Sequence, residues 1–258
     1  MAEIPNRLKT KLSSGATAFG LFSFIPSPAL VELFAVNGLD FVVIDEEHRP
    51  PSFTECENMV RAADVFGLTT ILRLPYQDFD LVPRYLDTGA QGILAPHIVT
   101  AADAQAFVDA AKFPPLGKRS IDGVLLCRAA RTMPPGTTEE RMRWANERVM
   151  TIALIEDVEA LDNLGAILAV GGLDTILVGP TDLSGSMGHS GNWNHPEVQQ
   201  AVERIQTAAV KAGKILLTAV AGPAPRSAIE AAEARGARMI ASSDYAMVET
   251  GIAEFLGK

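Results

Sequence analysis

Charged and titratable side chains follow several short apolar runs in this sequence, at the points where buried strands would end. Asp45, Glu47 and His48 come directly after the apolar run 41–44, and Arg73 ends another such run. A strand that is packed on both faces usually ends in turn residues such as Gly, Asn or Ser. We therefore interpret these side chains as groups gathered at strand ends to carry out chemistry.

Two further carboxylates occupy equivalent places later in the chain. Glu156 follows the apolar run 151–155, and Asp182 follows the run 176–178. If the two strands are neighbours in a parallel barrel, both carboxylates lie on the same rim, where they suit a hard cation such as Mg²⁺ or Mn²⁺. Each carboxylate could instead cap a helix. As a pair on adjacent strands, they favour the metal interpretation.

His48 and Arg73 have side chains suited to proton transfer and to anion binding. The ordinary pKa of histidine lies near neutrality, so His48 is the natural proton carrier, which Asp45 and Glu47 could orient or stabilise in its charged form. A solvated loop histidine is the alternative. Arg73 is the only residue in 69–75 that is neither apolar nor small. A buried arginine needs a counter-charge, from a protein carboxylate or from a substrate anion.

The other three histidines receive no catalytic role. His97 follows the fourth strand, but its neighbours Ile98 and Val99 indicate packing. His189 lies in a Gly/Ser-rich loop, and His195 is typical of a helix start.

Lysine positions argue against Schiff-base chemistry. Aldolases that form a Schiff base with their substrate need a desolvated lysine near the C-terminal end of a barrel strand. In this sequence only Lys214 touches a predicted strand, and it lies at the entry of that strand. Carbonyl chemistry would then rely on a metal as its electron sink. No Gly-rich phosphate-binding loop, Gly-x-Ser-x-Gly nucleophile elbow or clustered Cys/His zinc spacing is found in the sequence, and we expect no organic cofactor.

The elements that must position these groups alternate between strands and helices, as in a parallel (β/α)8 barrel, an α/β fold that typically needs ~250 residues. The 258-residue chain is 48% apolar, and we expect one domain over 1–258. The predicted strands are 17–22, 40–45, 69–73, 91–95, 150–155, 174–178, 214–220 and 237–242.

Several helix starts and two long interruptions complete the pattern. Ser27 before a proline, and Thr100 with Asp103, are typical helix N-termini. The interruptions, 114–149 and 179–194, are longer than most connections, and loops of that length are usually functional.

Composition limits the partners and the compartment. The formal net charge of −9 argues against nucleic-acid and anionic-membrane partners. The two cysteines form no disulfide framework, which favours a cytoplasmic location. The N-terminus lacks a signal-like apolar stretch, and no run approaches the ~18 apolar residues of a membrane span.

Six segments, in order and with matching spacing, carry a family resemblance over nearly the whole chain. They are 38–48, 72–73, 85–90, 155–156, 178–184 and 191–198. In these segments the chain resembles the HpcH/HpaI aldolase family. The resemblance implies a (β/α)8 barrel enzyme, a class II pyruvate aldolase dependent on Mg²⁺, Mn²⁺ or Co²⁺. Such an enzyme reversibly cleaves 4-hydroxy-2-oxo acids to pyruvate, or a close 2-oxo acid, and an aldehyde through a metal-bound enolate.

The resemblance also implies a role for individual residues. Glu156 and Asp182 match the metal ligands, and Arg73 matches the arginine that binds the pyruvate oxygen and stabilises the enolate. His48 matches the catalytic base, and Asp87 matches the carboxylate that pairs with it. Asp45 and Glu47 match acidic residues that lie around the metal and its waters. The segment of Gly179, Pro180, Thr181 and Asp182 matches the place where backbone amides hold the substrate carboxylate.

The last helix and the quaternary structure are part of the same expectation. Met247, Val248, Ile252, Phe255 and Leu256 form an apolar face at helical spacing. In an isolated barrel this face would cover the first and last strands. In the family the helix is swapped between protomers, which implies a homohexamer built as a trimer of dimers.

The sequence departs from the family pattern at three places, all in or beside the part of the pocket that receives the aldehyde. Leu154 stands where a glutamine is usual, the segment 117–120 departs from the usual loop motif, and the Arg128 motif is displaced by about one residue. Two alternatives remain open at this point: a CoA-dependent lyase of the citrate-lyase β type, and a barrel that binds ligands without turnover.

Overall fold

The computed structural model describes residues 4–49 and 51–258, and over these residues the chain forms eight parallel strands. The strands close into a barrel in which each strand pairs with its neighbours in chain order, and β8 pairs with β1. Every predicted strand is present, with ends that agree to within one residue. The strands are β1 Ala18–Ser23, β2 Phe41–Asp45, β3 Thr69–Arg73, β4 Gly92–Ala95, β5 Met150–Ile155, β6 Thr175–Val178, β7 Ile215–Ala219 and β8 Ala237–Ser243.

Helices surround the barrel and begin where the sequence predicted starts. Ser27 accepts a hydrogen bond from the backbone N–H of Leu30, and Thr100 with Asp103 forms a reciprocal capping box. The helices are α1 Arg7–Ser13, α2 Pro28–Val36, α3 Phe53–Phe66, α4 Leu81–Asp87, α5 Ala101–Ala111, α6 Thr138–Arg148, α7 Ala160–Leu168, α8 Pro180–Ser186, α9 Pro196–Lys211, α10 Arg226–Ala234 and α11 Asp244–Phe255. None of the described helices is both long and apolar enough to cross a membrane.

Alternate residues of each strand divide the core into two parts. Phe41 and Val43 belong to the cluster inside the barrel, whereas Val42 and Ile44 belong to the cluster between the barrel and its helices. Because both faces of a parallel strand are buried, polar side chains are confined mainly to the strand ends. The C-terminal ends open together on one rim.

The two long interruptions contain structure of their own. The segment 114–149 holds two short 3-10 helices, Ile121–Val124 and Ala129–Thr132, followed by α6. A small core of Phe113, Val124 and Ala145 holds this segment together. The interruption at 179–194 begins with α8, which places its first turn at the rim.

The last helix is anchored at its first residue while its apolar face stays open. The Asp244 carboxylate accepts hydrogen bonds from the backbone N–H groups of Phe24 and Ile25. Beyond Asp244 no described side chain of α11 is buried, and Phe255 is 89% exposed. Within one chain, therefore, α11 does not cover the barrel as an eighth helix normally would.

Candidate active site

A cavity of about 510 Å³ opens at the C-terminal rim of the barrel. Four of the residues that line it are charged or titratable, and we name them the charged wall: His48, Arg73, Glu156 and Asp182. The apolar residues that line the same cavity, which we name the apolar wall, are Phe22, Phe24, Leu154, Leu177, Ala219 and Val220. The cavity thus brings together the four side chains that we predicted to have the central roles, and Gly179, Pro180 and Thr181 line it as well.

Arg73 holds two carboxylates of the neighbouring strand and its loop. Its Nη1 lies 2.9 Å from Asp45 Oδ2, and its Nη2 pairs with Glu47. Asp45 and Arg73 are direct partners in the register of β2 and β3, so the strand pairing itself fixes the first contact. The buried Nε of Arg73 has no hydrogen-bond partner among the residues that the structure describes. Protein carboxylates therefore supply the counter-charge through the two terminal nitrogens of Arg73.

The loop that carries His48 is folded around the Asp45 side chain. Asp45 Oδ1 accepts hydrogen bonds from the backbone N–H groups of Glu47 at 3.1 Å and His48 at 2.7 Å. The His48 imidazole reaches the cavity, with Nε2 3.9 Å from Glu47 Oε2. Asp45 thus orients His48 through the backbone, and Glu47 lies beside the ring.

Glu46, to which the sequence assigned no role, anchors the same loop from the outside. Its side chain is buried between α3 and α4, where it accepts hydrogen bonds from Cys56 Sγ at 2.7 Å and from the Tyr85 hydroxyl. Burial raises the pKa of Glu46 above its usual value, although both hydrogen bonds lower it. The loop is therefore held on both sides, by Asp45 towards Arg73 and by Glu46 towards the helices.

Glu156 is almost completely buried at the end of β5, with its two carboxylate oxygens in different surroundings. Oε1 accepts a hydrogen bond from the backbone N–H of His97 at 3.0 Å. Oε2 lies 2.6 Å from the point where a Cβ on Gly179 would stand, so this glycine leaves the space that the carboxylate occupies. Burial raises the pKa of Glu156 to about 7, against the lowering effect of His97 and Arg73. Asp182, in the first turn of α8, is exposed and lines the same cavity.

His97 belongs to this acidic cluster, so its interpretation as a packing residue is wrong. Ile98 is buried as expected, but the His97 side chain is 44% exposed, and its φ of 54° lies in the left-handed region. Its Nδ1 lies 3.0 Å from Asp157 Oδ2, and its Nε2 lies 3.8 Å from Glu47 Oε1. Burial alone would lower the pKa of His97, but these carboxylates and Glu156 raise it above its usual value. Its place directly after β4 is the signal that the sequence offered.

Asp87 lies apart from His48 within the chain. It ends α4, forms an ion pair with Arg119 at 2.7 Å, and lines a separate cavity of about 370 Å³ beside Gly123 and Cys127. His48 lines the rim cavity instead. The expected pairing of Asp87 with His48 is therefore not made inside one chain, because Asp87 is carried by the end of a helix and not by a strand end.

Comparison with known proteins places this chain in a family. The sequence profile of the HpcH/HpaI aldolase/citrate lyase family matches residues 18–243. The chain belongs to the HpcH/HpaI aldolase family. It is therefore an aldolase, a carbon–carbon lyase, and the predictions of family, barrel fold and enzyme class are confirmed.

Individual relatives agree with this assignment. The aldolase is 38% identical over 212 residues to a hydroxypyruvate/pyruvate aldolase of Pseudomonas aeruginosa, covering 81% of this chain and 78% of the relative. It is 36% identical over 216 residues to a 2-keto-3-deoxy-L-rhamnonate aldolase of Salmonella gallinarum, covering 82% and 79%. A crystal structure of an HpcH/HpaI aldolase from Desulfitobacterium hafniense superposes with a TM-score of 0.88 at 32% identity, covering 97% of this chain and 95% of the other.

Proposed function

We propose that the protein is a divalent-metal-dependent aldolase that reversibly cleaves 4-hydroxy-2-oxo acids into pyruvate, or a close 2-oxo acid, and an aldehyde. The observation that carries the proposal is the charged wall, where Glu156, Asp182, Arg73 and His48 face one cavity. Relatives named as aldolases of hydroxypyruvate, pyruvate and a 2-keto-3-deoxy sugar acid support the substrate class.

Glu156 and Asp182 would hold the metal. Their carboxylate oxygens suit Mg²⁺, Mn²⁺ or Co²⁺. Because Gly179 has no Cβ, Glu156 Oε2 can occupy the space beside the first turn of α8. When bound, the cation acts as a Lewis acid that polarises the 2-oxo acid and so acidifies the protons next to its carbonyl. The Glu156 carboxyl is buried, and a cation would offset the burial that raises its pKa.

A Gly179→Ala substitution tests this part of the site. The added methyl group would stand 2.6 Å from Glu156 Oε2 and 2.9 Å from Glu156 Cβ, so the carboxylate must move. We expect the affinity for Mn²⁺, measured by titration of chelator-treated protein, to fall about 10–100-fold, as for other losses of support around a metal ligand. Gly185→Ala is the matched control, because a Cβ at Gly185 meets nothing within 4 Å. Equal Mn²⁺ affinities for the two variants would contradict the expected contact.

Arg73 would hold the oxygen on which negative charge develops during cleavage. Its guanidinium is fixed by Asp45 and Glu47, and the residue lines the cavity. A preorganised donor of this kind stabilises the transition state without having to move during the reaction. The substrate carboxylate would be bound by the backbone N–H groups of Thr181 and Asp182, next to Gly179 and Pro180.

His48 would transfer the proton to or from the hydroxyl group at the cleaved bond. Its backbone is held by Asp45, and its ring lies at the cavity. The role of Asp87 as partner of His48 requires a second copy of the chain, since the two residues lie in separate cavities of one chain. A mixture of His48→Ala and Asp87→Ala chains should therefore regain activity on co-assembly, which each variant alone lacks.

Assembly as a homohexamer, with α11 swapped between protomers, completes the proposal. The exposed apolar side chains of α11, and the confinement of its anchoring contacts to its first residues Asp244 and Tyr245, support it among the described residues. Light scattering at micromolar concentration should report about six times the 27.5 kDa chain mass. A stable and fully active monomer would contradict this prediction. We also propose that the protein is located in the cytoplasm, and its two free cysteines support this location.

The experiment that tests the function is a retro-aldol assay with several 4-hydroxy-2-oxo acids. Pyruvate release is followed with and without a chelator, and again after Mg²⁺, Mn²⁺ or Co²⁺ is restored. We expect release to stop with the chelator and to return with the metal. Inactivation by borohydride together with pyruvate would instead reveal a Schiff base, and cleavage of malyl-CoA without aldolase activity would favour the CoA-dependent alternative.

A further inference from the structure

His97 lies against the back of the charged wall, on the opposite side of Glu156 from Gly179. Its Nδ1 is 3.5 Å from Glu156 Oε1, whereas Glu156 Oε2 faces Gly179. Neither His97 nor Glu47 lines the cavity. The two oxygens of the Glu156 carboxylate therefore have different neighbours, Gly179 for Oε2 and His97 for Oε1, and the His97 ring in turn lies beside Glu47.

The hydrogen bond of the imidazole determines which of its nitrogens is free. Nδ1 lies 3.0 Å from Asp157 Oδ2, and an ionised carboxylate can only accept, so Nδ1 carries the hydrogen. In the neutral ring the lone pair is then on Nε2, which points towards Glu47 Oε1 at 3.8 Å. A carboxylate that fixes the ring through one nitrogen and leaves the other free is the usual arrangement around histidine ligands of metals.

The spacing of the donors suits a cation. One donor atom from each of Glu47, His97 and Glu156 lies within 4.8 Å of the other two. Ligand atoms about 2.1 Å from a cation stand roughly 3 to 4.2 Å apart in an octahedral shell, so small side-chain rotations bring these three into range. Glu47 is already oriented, since its Oε2 pairs with Arg73 and its Oε1 faces His97.

The charges around His97 also favour a bound cation. Glu47, Glu156 and Asp157 surround His97, and the only guanidinium that any described residue gives to this group is that of Arg73, which it shares with Asp45. An additional divalent cation would offset the excess of negative charge in a partly buried place.

We propose that His97, Glu47 and Glu156 form a second divalent-cation site, in which Nε2 of His97 would be the nitrogen ligand and Glu156 would be shared with the active site. The inference rests on the proposed function in sharing Glu156. A donor set with one imidazole favours Mn²⁺, Co²⁺ or Zn²⁺ over Mg²⁺. The second cation would fix the orientation of Glu156 and Glu47 and, through Glu47, that of Arg73.

Electron spin-echo spectroscopy of Mn²⁺ tests the site, because a directly bound imidazole nitrogen modulates the echo. Protein treated with a chelator and then titrated with Mn²⁺ should bind two ions per chain, and the saturated sample should show nitrogen modulation. His97→Asn should bind one ion and lose the modulation. Asparagine tolerates the left-handed backbone at this position, so the variant is expected to keep the fold.

Two further variants separate the possible sources of the signal. Asp182→Asn removes a ligand of the active-site cation only, so it should still bind one Mn²⁺ with nitrogen modulation. His189 and His195, with Glu197, form another group of donors on the surface, so His189→Asn is the matched histidine control and should change nothing.

Absence of nitrogen modulation in saturated wild-type protein, or its persistence in His97→Asn, would overturn the second site. If pyruvate release still needs Mn²⁺ in that case, the proposed function stands and only the role of His97 fails. If the wild-type protein binds no Mn²⁺ at all, both the second site and the metal dependence fail.

Discussion

Glu156→Gln is expected to lower the rate of retro-aldol cleavage by roughly 10³-fold or more and to abolish tight Mn²⁺ binding. The substitution keeps the size of the side chain and removes the negative charge that would hold the cation at the end of β5. A Lewis-acid cation supplies several kcal/mol of transition-state stabilisation, and each 1.36 kcal/mol corresponds to about tenfold in rate. Because Glu156 is almost fully buried, no neighbouring water can replace it easily.

Pyruvate release under saturating substrate, together with Mn²⁺ titration, measures both effects. Glu159→Gln is the matched control: it removes the same charge three residues further on, where the side chain is exposed and makes no helix-capping hydrogen bond. The control should retain wild-type activity and affinity. Full activity of Glu156→Gln in excess chelator would show that the reaction does not depend on this carboxylate.

His48→Ala is expected to reduce retro-aldol cleavage by ~10²–10⁴-fold, the usual loss when a positioned general base is removed. Decarboxylation of oxaloacetate should suffer less, since it needs the enolate to be stabilised but involves no aldol hydroxyl group. Asp45 Oδ1 accepts its hydrogen bonds from the backbone of the loop and not from the imidazole, so the loop should keep its conformation in the variant.

Both reactions are followed by the appearance of pyruvate from the same preparation. The ratio of the two rates is the decisive quantity, because damage to the fold or to the metal would lower both rates alike. His189→Ala serves as the control, since His189 lies in the loop after α8 and pairs with Glu197. Equal losses in the two reactions for His48→Ala would contradict a specific role in aldol proton transfer.

Strand positions and the central ion pairs were predictable from the sequence. Parallel strands buried on both faces produce continuous apolar runs, which is why the ends of β2, β3 and β5 agree with expectation to within one residue. Strand ends meet at one rim, so a charge after β2 and another at the end of β3 must be close. The Asp45–Arg73 pair follows directly from that geometry.

Contacts that depend on backbone detail or on helix approach were not predictable. His97 has a left-handed φ, and its ring lies beside Asp157 and not in the core with Ile98. No local feature of the sequence predicts this backbone conformation. Glu46 finds its partners Cys56 and Tyr85 on two helices whose relative placement only the folded barrel defines. These residues acquire their surroundings from tertiary packing.

The division of the rim cavity into two walls gives a practical route to altered substrate scope. Libraries directed at Ala219 and Val220 would reshape the apolar wall where side chains are exposed or half-buried, and would leave the Arg73 network untouched. Phe22 and Leu177 on the same wall are buried, and truncating either to alanine would cost about 2–5 kcal/mol of folding free energy. Engineering of this aldolase for new aldehydes should therefore begin at the exit of β7, where substitutions are expected to lower the folding free energy least.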